Sequence, residues 1–500
     1  MPQLLVDQLR TMARLHADDA AYRDLDAGTA ITFRAWEEES NRLARGLMAS
    51  GLTTGDRVAI HVPNDEVLRW VVAYAAVHKA GLVAVPANTR QPARELAGVL
   101  AHAEVRAAVT SPALGDVFRE AAAGVPSLEL VVSTGSQPRT RTWDEVLDDD
   151  ASEVQVPLDA GDLADIMYTS GTTGRPKGVV VRHRDSAMVP NNEPAWTGLG
   201  WLHGSPLFTF AGIGFVYNPM KLGLTGLYQP RFDAGRWLEH VERERPLATF
   251  IVPAMAQLLV ASPRFDEADL SSLAICAIGS APLAPATLRR LQDRMPQATV
   301  TNGYGMTEAG PAFCNMPKEE SLTRIGSVGK PMPPMEVRIV DEQGSERAAR
   351  EEGEVLIRLP GRQREYYRDP EATARTWAGG WLHSGDIGFL DEDGYLYIVG
   401  RMKEVIIRGG NNVHAVDVEA AIHEHPAVQE AAVVGVPHDV LGEDVAAFVV
   451  VRPGADLSSE GLQVFLRERL ADYKVPRSVT FVEELPRNAT GKVVKQLLTA

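Results

Sequence analysis

The 500-residue chain holds only two cysteines, Cys276 and Cys314. That excludes a disulfide framework and fits a reducing compartment. It has no excess of positive charge: 50 Lys and Arg stand against 66 Asp and Glu, a formal net charge of −16. A nucleic-acid footprint needs a basic face, and an anionic membrane attracts basic segments, so neither partner is expected. Long apolar runs are missing too. The most apolar helical stretch, Val67 to Val85, carries Arg69, His78 and Lys79, whereas a span needs about 20 nearly uncharged residues. Met1 to Asp7 lack the basic stretch and apolar core of a secretion signal. No fixed-period repeat or low-complexity tract occurs. These absences lead us to expect a soluble, cytoplasmic protein with no membrane span and no nucleic-acid partner. The length exceeds what one core supports, so two or more domains are expected.

What the chain does have is concentrated in Tyr168 to Val179. Three glycines, four Ser or Thr and one lysine fall within this stretch, after the apolar strand pattern Leu163 to Met167. Glycine allows tight turns and close approach to a ligand. Successive N–H groups in such a turn make an anion-binding concavity. Ser170, Thr172 and Thr173 add hydroxyls, and Lys177 adds a point charge suited to phosphate. The pattern fits the tail of a nucleoside triphosphate. It is not the Walker loop, because Lys177 is followed by Gly178 rather than Ser or Thr.

The first half alternates helix and strand patterns. Thr32 caps a predicted helix from Phe33 to Ser50, which Gly51 ends. Strands are predicted at Arg57–Val62, Leu82–Val85 and Val105–Thr110, with a helix at Val67–Lys79. Similar units recur at Leu238–Val252 and Leu288–Asn302, and Ser133–Arg141 reads as an exposed loop. Such alternation implies α/β architecture with parallel sheets covered on both faces. After Pro331 shorter β segments appear at Val337–Val340, Glu354–Ile357 and Tyr395–Val399. From Arg401 a compact α/β segment follows, with helices at Ala415–His423 and Ser459–Leu470 and a strand at Glu430–Val436. We therefore expect a large domain, residues 1–400, with a small β-rich part, and a small C-terminal α/β domain, residues 401–500.

Further groups with chemistry follow in order. Gly279, Ser280, Ala281 and Pro282 follow an apolar strand, as do Asn302, Gly303, Tyr304, Gly305, Met306, Thr307 and Glu308. Ligands bind at the carboxyl ends of strands in open α/β sheets. Tyr304 can lie against a flat base, Thr307 can donate to phosphate, and Glu308 can bind magnesium through oxygen. Alone, a Tyr-Gly turn is more often structural; downstream of a phosphate loop it reads as a base platform. Asp386 follows the tight turn at Ser384 and Gly385, and a carboxylate accepts two hydrogen bonds side by side, as a ribose diol offers them. Arg401 supplies a cation nearby in sequence, and Lys492 stands in a turn near the C-terminus.

Six segments in this order resemble the adenylate-forming superfamily, which includes acyl-CoA synthetases, nonribosomal-peptide adenylation domains and luciferases. The resemblance implies a pyrophosphate cradle at Thr169, Ser170, Gly171, Thr172, Thr173, Gly174 and Lys177. It implies an adenine slot at Gly279 to Pro282 and Tyr304, with Asn302, Gly303, Gly305 and Ile398 among the nucleotide contacts. It implies an α-phosphate contact at Thr307, a magnesium ligand at Glu308 and a ribose clamp at Asp386 assisted by Arg401. Lys492 is similar to the family's catalytic lysine, which bridges carboxylate and α-phosphate. Lys403 stands at the family's hinge, about which the small domain rotates between half-reactions. Gly409 and Gly410 resemble the loop that lines the pantetheine tunnel.

The resemblance thus implies an AMP-forming acid–thiol ligase using ATP, Mg²⁺ and coenzyme A. The acid pocket it implies is built by Phe208, Thr209, Gly212, Ile213, Ile278 and Met306. Many relatives carry an aromatic residue or His at Thr209, so the gate on the carboxylate would be wider or fall to Phe208 or Phe210. Ala211 to Asn218 contain no acid to pair a substrate ammonium, and an unpaired buried ammonium is costly. We expect a neutral-tailed, hydrophobic and bulky acid. The pocket segment is similar to that of bacterial terpenoid-acid CoA ligases of the platensimycin type. Alternatives are loading of an acyl group onto a carrier-protein phosphopantetheine, or a protein that only binds or thioesterifies a supplied acyl-adenylate. A homodimer is compatible with the sequence.

Overall fold

A computed structural model describes residues 4–169, 177–185, 189–281, 283–311, 314–321, 323–487 and 493–498. The architecture is α/β, with a large N-terminal part built on mixed sheets and a smaller C-terminal α/β part. By internal contacts the chain divides into two compact units. The first comprises Met1–Ala277, Gly305–Pro311 and Arg362–Ala374; the second comprises Ile278–Tyr304, Ala312–Gly361 and Arg375–Ala500.

In the first unit the predicted alternation becomes two sheets. One runs in the order Arg141–Thr142, Leu130–Ser133, Val105–Thr110, Arg57–His61, Val83–Pro86, Leu163–Thr169, Lys177–Arg182. The other includes Ala248–Ile251, Gly200–His203, Thr225–Tyr228, Ala20–Asp24 and Thr29–Thr32 as successive neighbours. Most neighbours are parallel. The exceptions are the last pair of each sheet: Leu163–Thr169 with Lys177–Arg182, and Ala20–Asp24 with Thr29–Thr32. Their connections are too short for the crossover that parallel pairing needs, so each closes as a hairpin. The sheets are therefore mixed where alternation alone predicted parallel ones.

The helices form where the sequence signals them. Phe33–Ala49 starts at Thr32, whose side chain accepts from the Ala35 N–H, and Gly51 beyond it has φ +91°. Val67–Lys79 is apolar on nearly every face and is buried accordingly. Its neighbour Trp36 is fully buried and its indole donates to the Val71 carbonyl over 3.0 Å. These helices and both sheets share one core that also holds Tyr22, Trp70, Trp143 and Tyr228. Each such buried large side chain contributes about 1.5–3 kcal/mol.

The second unit carries the antiparallel β segments expected after Pro331. Cys314–Asn315, Ser327–Pro331, Leu396–Arg401, Trp381–Leu390, Gly353–Arg358 and Glu336–Val340 are neighbours in that order. Its last part is the sheet Asn411–His414, Val405–Arg408, Gly442–Val451, Val428–His438, with Ser478–Phe481 beside Gly442–Val451. The helices Ala415–His423 and Ser459–Arg467 pack on it around Val418, Ile422, Leu462 and Leu466. The second helix ends earlier than its pattern predicts, short of Leu470. No helix among the described residues is long and apolar enough to cross a membrane.

Candidate functional site

Thr169 and Lys177 are cross-strand partners, so the strands leading into and out of the phosphate-loop motif are pinned to each other. Ser170, Gly171, Thr172, Thr173 and Gly174 lie outside the described residues, as do Pro282 and Lys492. In the first unit Lys177 Nζ stands 4.9 Å from the centroid of the Tyr366 ring. The Tyr366 hydroxyl donates to Glu308 Oε1 over 3.0 Å. One buried tyrosine, 8% exposed, therefore touches both the phosphate-loop lysine and the predicted magnesium ligand.

Thr307 and Glu308 sit at the tip of a hairpin whose arms are Gly305–Met306 and Gly310–Pro311. The turn closes with Ala309 N–H donating to the Met306 carbonyl, and Gly310 takes φ +82°. Such three-residue loops need a left-handed residue after the turn, which glycine supplies. Arg364 then fixes the turn. Its Nη1 donates to the Thr307 carbonyl, its Nη2 donates to the Asp185 carbonyl at 2.6 Å, and its Cζ lies 4.5 Å from the Phe210 ring centroid. Arg364 is 4% exposed. Burial draws its pKa down to about 10, opposed by Asp185, Asp165 and Glu308, so it stays charged at neutral pH.

Glu308 is half-buried and brings carboxylate oxygens. Among the described residues no group of three or more His, Cys, Asp or Glu could hold a metal ion. Magnesium needs no such cage, since it is bound through one or two carboxylates plus substrate phosphates and keeps several waters. A single carboxylate sharing Tyr366 with a phosphate-loop lysine fits that requirement.

In the second unit Tyr304 and Asp386 come together. The Tyr304 hydroxyl donates to Asp386 Oδ2 over 2.6 Å, and Arg401 Nε stands 3.3 Å from Asp386 Oδ1. Sheet register causes the second contact, because Asp386 and Arg401 are directly opposite on Trp381–Leu390 and Leu396–Arg401. The expected turn at Ser384 and Gly385 does not form: both lie within the strand Trp381–Leu390, where its register with Gly353–Arg358 shifts, Gly385 takes φ +69°, and Ser384 Oγ accepts from the Asp386 N–H. Burial and the Asp386 charge both hold the Tyr304 hydroxyl far above its usual pKa. Ile398 lies half-buried on the same strand as Arg401.

Gly279 ends the strand Ile275–Gly279 and is buried, whereas Ser280 and Ala281 are exposed. Ser280 holds φ +78°, a left-handed conformation uncommon for a residue with a side chain. Asn302 and Gly303 end the strand Thr299–Gly303, and Asn302 Oδ1 is buried with no hydrogen-bond partner among the described residues.

The residues predicted for the acid pocket are placed differently. Thr209 caps the helix Phe210–Lys221: its Oγ1 accepts from the Gly212 N–H at 3.0 Å and donates to the Pro206 carbonyl at 2.7 Å. Gly212 is glycine for packing, because a Cβ would stand 2.0 Å from the Pro206 carbonyl oxygen. Ile213 is buried within the main core, while Phe208 and Ile278 are buried and Met306 is half-buried. Gly214 is different: a Cβ there would meet only Asn218 Nδ2, at 3.5 Å.

Gly409 and Gly410 form the two-residue tip between Val405–Arg408 and Asn411–His414, with Arg408 opposite Asn411. Their φ values of +57° and +85° are those a tight primed turn demands. Lys403 is exposed in the single turn Met402–Glu404.

Sequence reasoning passed over Arg364 and Tyr366. The available signal was their spacing of two in an extended stretch, which places both on one side. That stretch pairs with the phosphate-loop exit strand: Val180 N–H donates to the Glu365 carbonyl, and Tyr367 N–H to the Gly178 carbonyl.

Comparison with known proteins agrees with this chemistry. Residues 9–367 match the AMP-binding enzyme family, and residues 417–492 match the AMP-binding enzyme C-terminal domain. A feruloyl-CoA synthase of an Amycolatopsis species is 37% identical, with 94% of this chain and 93% of that protein covered. The 3-[(3aS,4S,7aS)-7a-methyl-1,5-dioxo-octahydro-1H-inden-4-yl]propanoyl:CoA ligase of Mycobacterium tuberculosis is 35% identical, with 99% of both covered. Among solved structures, the anthranilate CoA ligase AuaEII in complex with anthranoyl-AMP superposes with a TM-score of 0.89 at 27% identity, covering 99% of this chain and 96% of that one.

Proposed function

The chain belongs to the AMP-binding enzyme family, and from that premise we propose that it is an acid–thiol ligase for a hydrophobic, bulky carboxylic acid. Its chemistry is adenylate formation on a carboxylic acid followed by linkage to coenzyme A. In the first step a carboxylate oxygen attacks the α-phosphorus of ATP, and pyrophosphate leaves with the electrons of the broken P–O bond. In the second the thiol sulfur attacks the acyl carbon, AMP leaves, and the thiol proton is released.

The observation that carries this reading is the grouping of the charged residues. Lys177 and Glu308 share Tyr366, which suits a triphosphate with its counter-ion. Asp386, with Arg401 and Tyr304 against it, suits a ribose. Lys177 would hold the phosphates and Thr307 the α-phosphate. Glu308 would hold Mg²⁺, which when bound neutralises phosphate charge. Lys492 would stabilise charge developing at the α-phosphorus, in the manner of positioned charge generally. Residues 401–500 would turn about Lys403 and bring Gly409 and Gly410 to the pantetheine arm.

A hydrophobic acid follows from the pocket segment. The helix Phe210–Lys221 offers no acid to an ammonium group, and Gly214 leaves its neighbourhood open. Since Thr209 spends its hydroxyl on the helix cap, Phe210 is the aromatic residue we assign to the gate, held by Arg364.

The test is ATP–pyrophosphate exchange across aryl, terpenoid and fatty acids. Exchange with bulky hydrophobic acids and none with amino acids is expected. Exchange confined to small or zwitterionic acids would overturn the substrate reading. A competition between coenzyme A and a carrier-protein phosphopantetheine then identifies the acceptor. Lys492→Ala should abolish exchange yet spare thiol transfer from a supplied acyl-adenylate.

A further inference from the structure

We infer that Tyr366 is a positioning residue for divalent-cation binding. It rests on the reading of Glu308 as the metal ligand and goes beyond it. The Tyr366 hydroxyl donates to Glu308 Oε1 over 3.0 Å and so holds one carboxylate oxygen, and we assign the cation to Oε2. The ring of the same residue lies under Lys177 Nζ, 4.9 Å from its centroid. A cation over an aromatic face is attracted by the ring quadrupole. Tyr366 thus fixes both the carboxylate and the ammonium that a metal–triphosphate complex would meet.

The tyrosine itself has little freedom. It is 8% exposed, and its N–H donates to Thr373 Oγ1 at 2.9 Å. The residues on either side of it are hydrogen-bonded to the strand Lys177–Arg182. Groups that orient a metal ligand through its second atom typically change metal affinity by about 10–100-fold when removed. The hydroxyl of Tyr366 has that relation to Glu308, and the ring has a separate relation to Lys177.

The experiment titrates Mn²⁺ into the full chain saturated with α,β-methylene-ATP, following free Mn²⁺ by electron paramagnetic resonance. Tyr366→Phe keeps the ring and removes the hydroxyl. It should weaken Mn²⁺ binding by about tenfold, while nucleotide affinity without metal stays unchanged. Glu308→Gln should weaken it at least as much. Tyr366→Leu, which also removes the ring, should weaken metal-free nucleotide binding as well. Unchanged Mn²⁺ affinity in Tyr366→Phe beside a loss in Glu308→Gln overturns the role of Tyr366 alone. Unchanged affinity in Glu308→Gln overturns the metal assignment on which it rests. A fall in metal-free nucleotide affinity equal to the fall in Mn²⁺ affinity in Tyr366→Phe would mean a general structural effect, and would also overturn the inference.

Discussion

Arg364 shows how one side chain organises several others. Its planar fork serves the Thr307 and Asp185 carbonyls at once, while its face covers Phe210. A lysine carries the charge but not the fork, so it can satisfy only one of those carbonyls well. The other would be left buried and unpaired, at about 1–3 kcal/mol. Gly310 is adapted to the same contact, since a Cβ there would stand 3.2 Å from Arg364 Nη2. We predict that Arg364→Lys lowers unfolding stability by about 1–3 kcal/mol and raises the KM for the acid, because Phe210 loses its support. Denaturant unfolding and steady-state adenylation kinetics check the two parts. An unchanged KM in a destabilised variant would confine Arg364 to a structural role.

Elements were the most legible level of the sequence, and the reasons are local. Thr32 and Gly51 bound one helix and the apolar run Val67 to Lys79 marks another, so those helices form where they are read. Asp386 and Arg401 were both singled out as residues, but their contact is a product of strand register, which no local pattern encodes. The contacts of Arg364 and Tyr366 were illegible for the same reason: their partners are distant in sequence. Hairpin closure at the edges of both large sheets also escaped, because alternation reports helix and strand but not strand direction. Gly409 and Gly410 were legible as a loop, and the tight hairpin they form separates two roles. Asn tolerates the left-handed conformation better than other side chains. Gly410→Asn should therefore leave stability within about 1 kcal/mol of the parent, since a Cβ at this position meets nothing within 4 Å. If the tip must leave room for a pantetheine arm, the same variant slows thioester formation from a supplied acyl-adenylate and spares pyrophosphate exchange. Equal rates in both half-reactions would leave the glycines with the turn alone.

At the scale of the whole molecule, acidity and local positive charge coexist. The chain's formal charge is −16, yet each unit carries cations among its candidate site residues, Lys177 and Arg364 in one and Arg401 in the other. The residues that the sequence marks are shared between both compact units: Tyr304 and Asp386 belong to one, Lys177 and Glu308 to the other. The first unit also carries a pH dependence of its stability. His61, His183 and His203 are 0%, 2% and 0% exposed. Burial lowers their pKa values to about 4, 3 and 3. His203 Nε2 lies 2.6 Å from the Tyr22 hydroxyl, a contact that suits the neutral ring as acceptor. In the unfolded chain the same groups take up protons near pH 6.5. Between that pH and about 4 the unfolded state therefore binds more protons than the folded one, so stability falls as pH falls. The contribution is complete above about 6.5 and is lost progressively towards the folded values. Each group adds a slope of up to about 1.4 kcal/mol per pH unit, so the three together approach about 4. Unfolding of the first unit, followed at a series of pH values from neutral to 4.5, should steepen in this window. His203→Gln should reduce the slope by about a third. A slope that His203→Gln leaves unchanged would mean that His203 titrates alike in the folded and unfolded states, and that its burial does not hold it neutral.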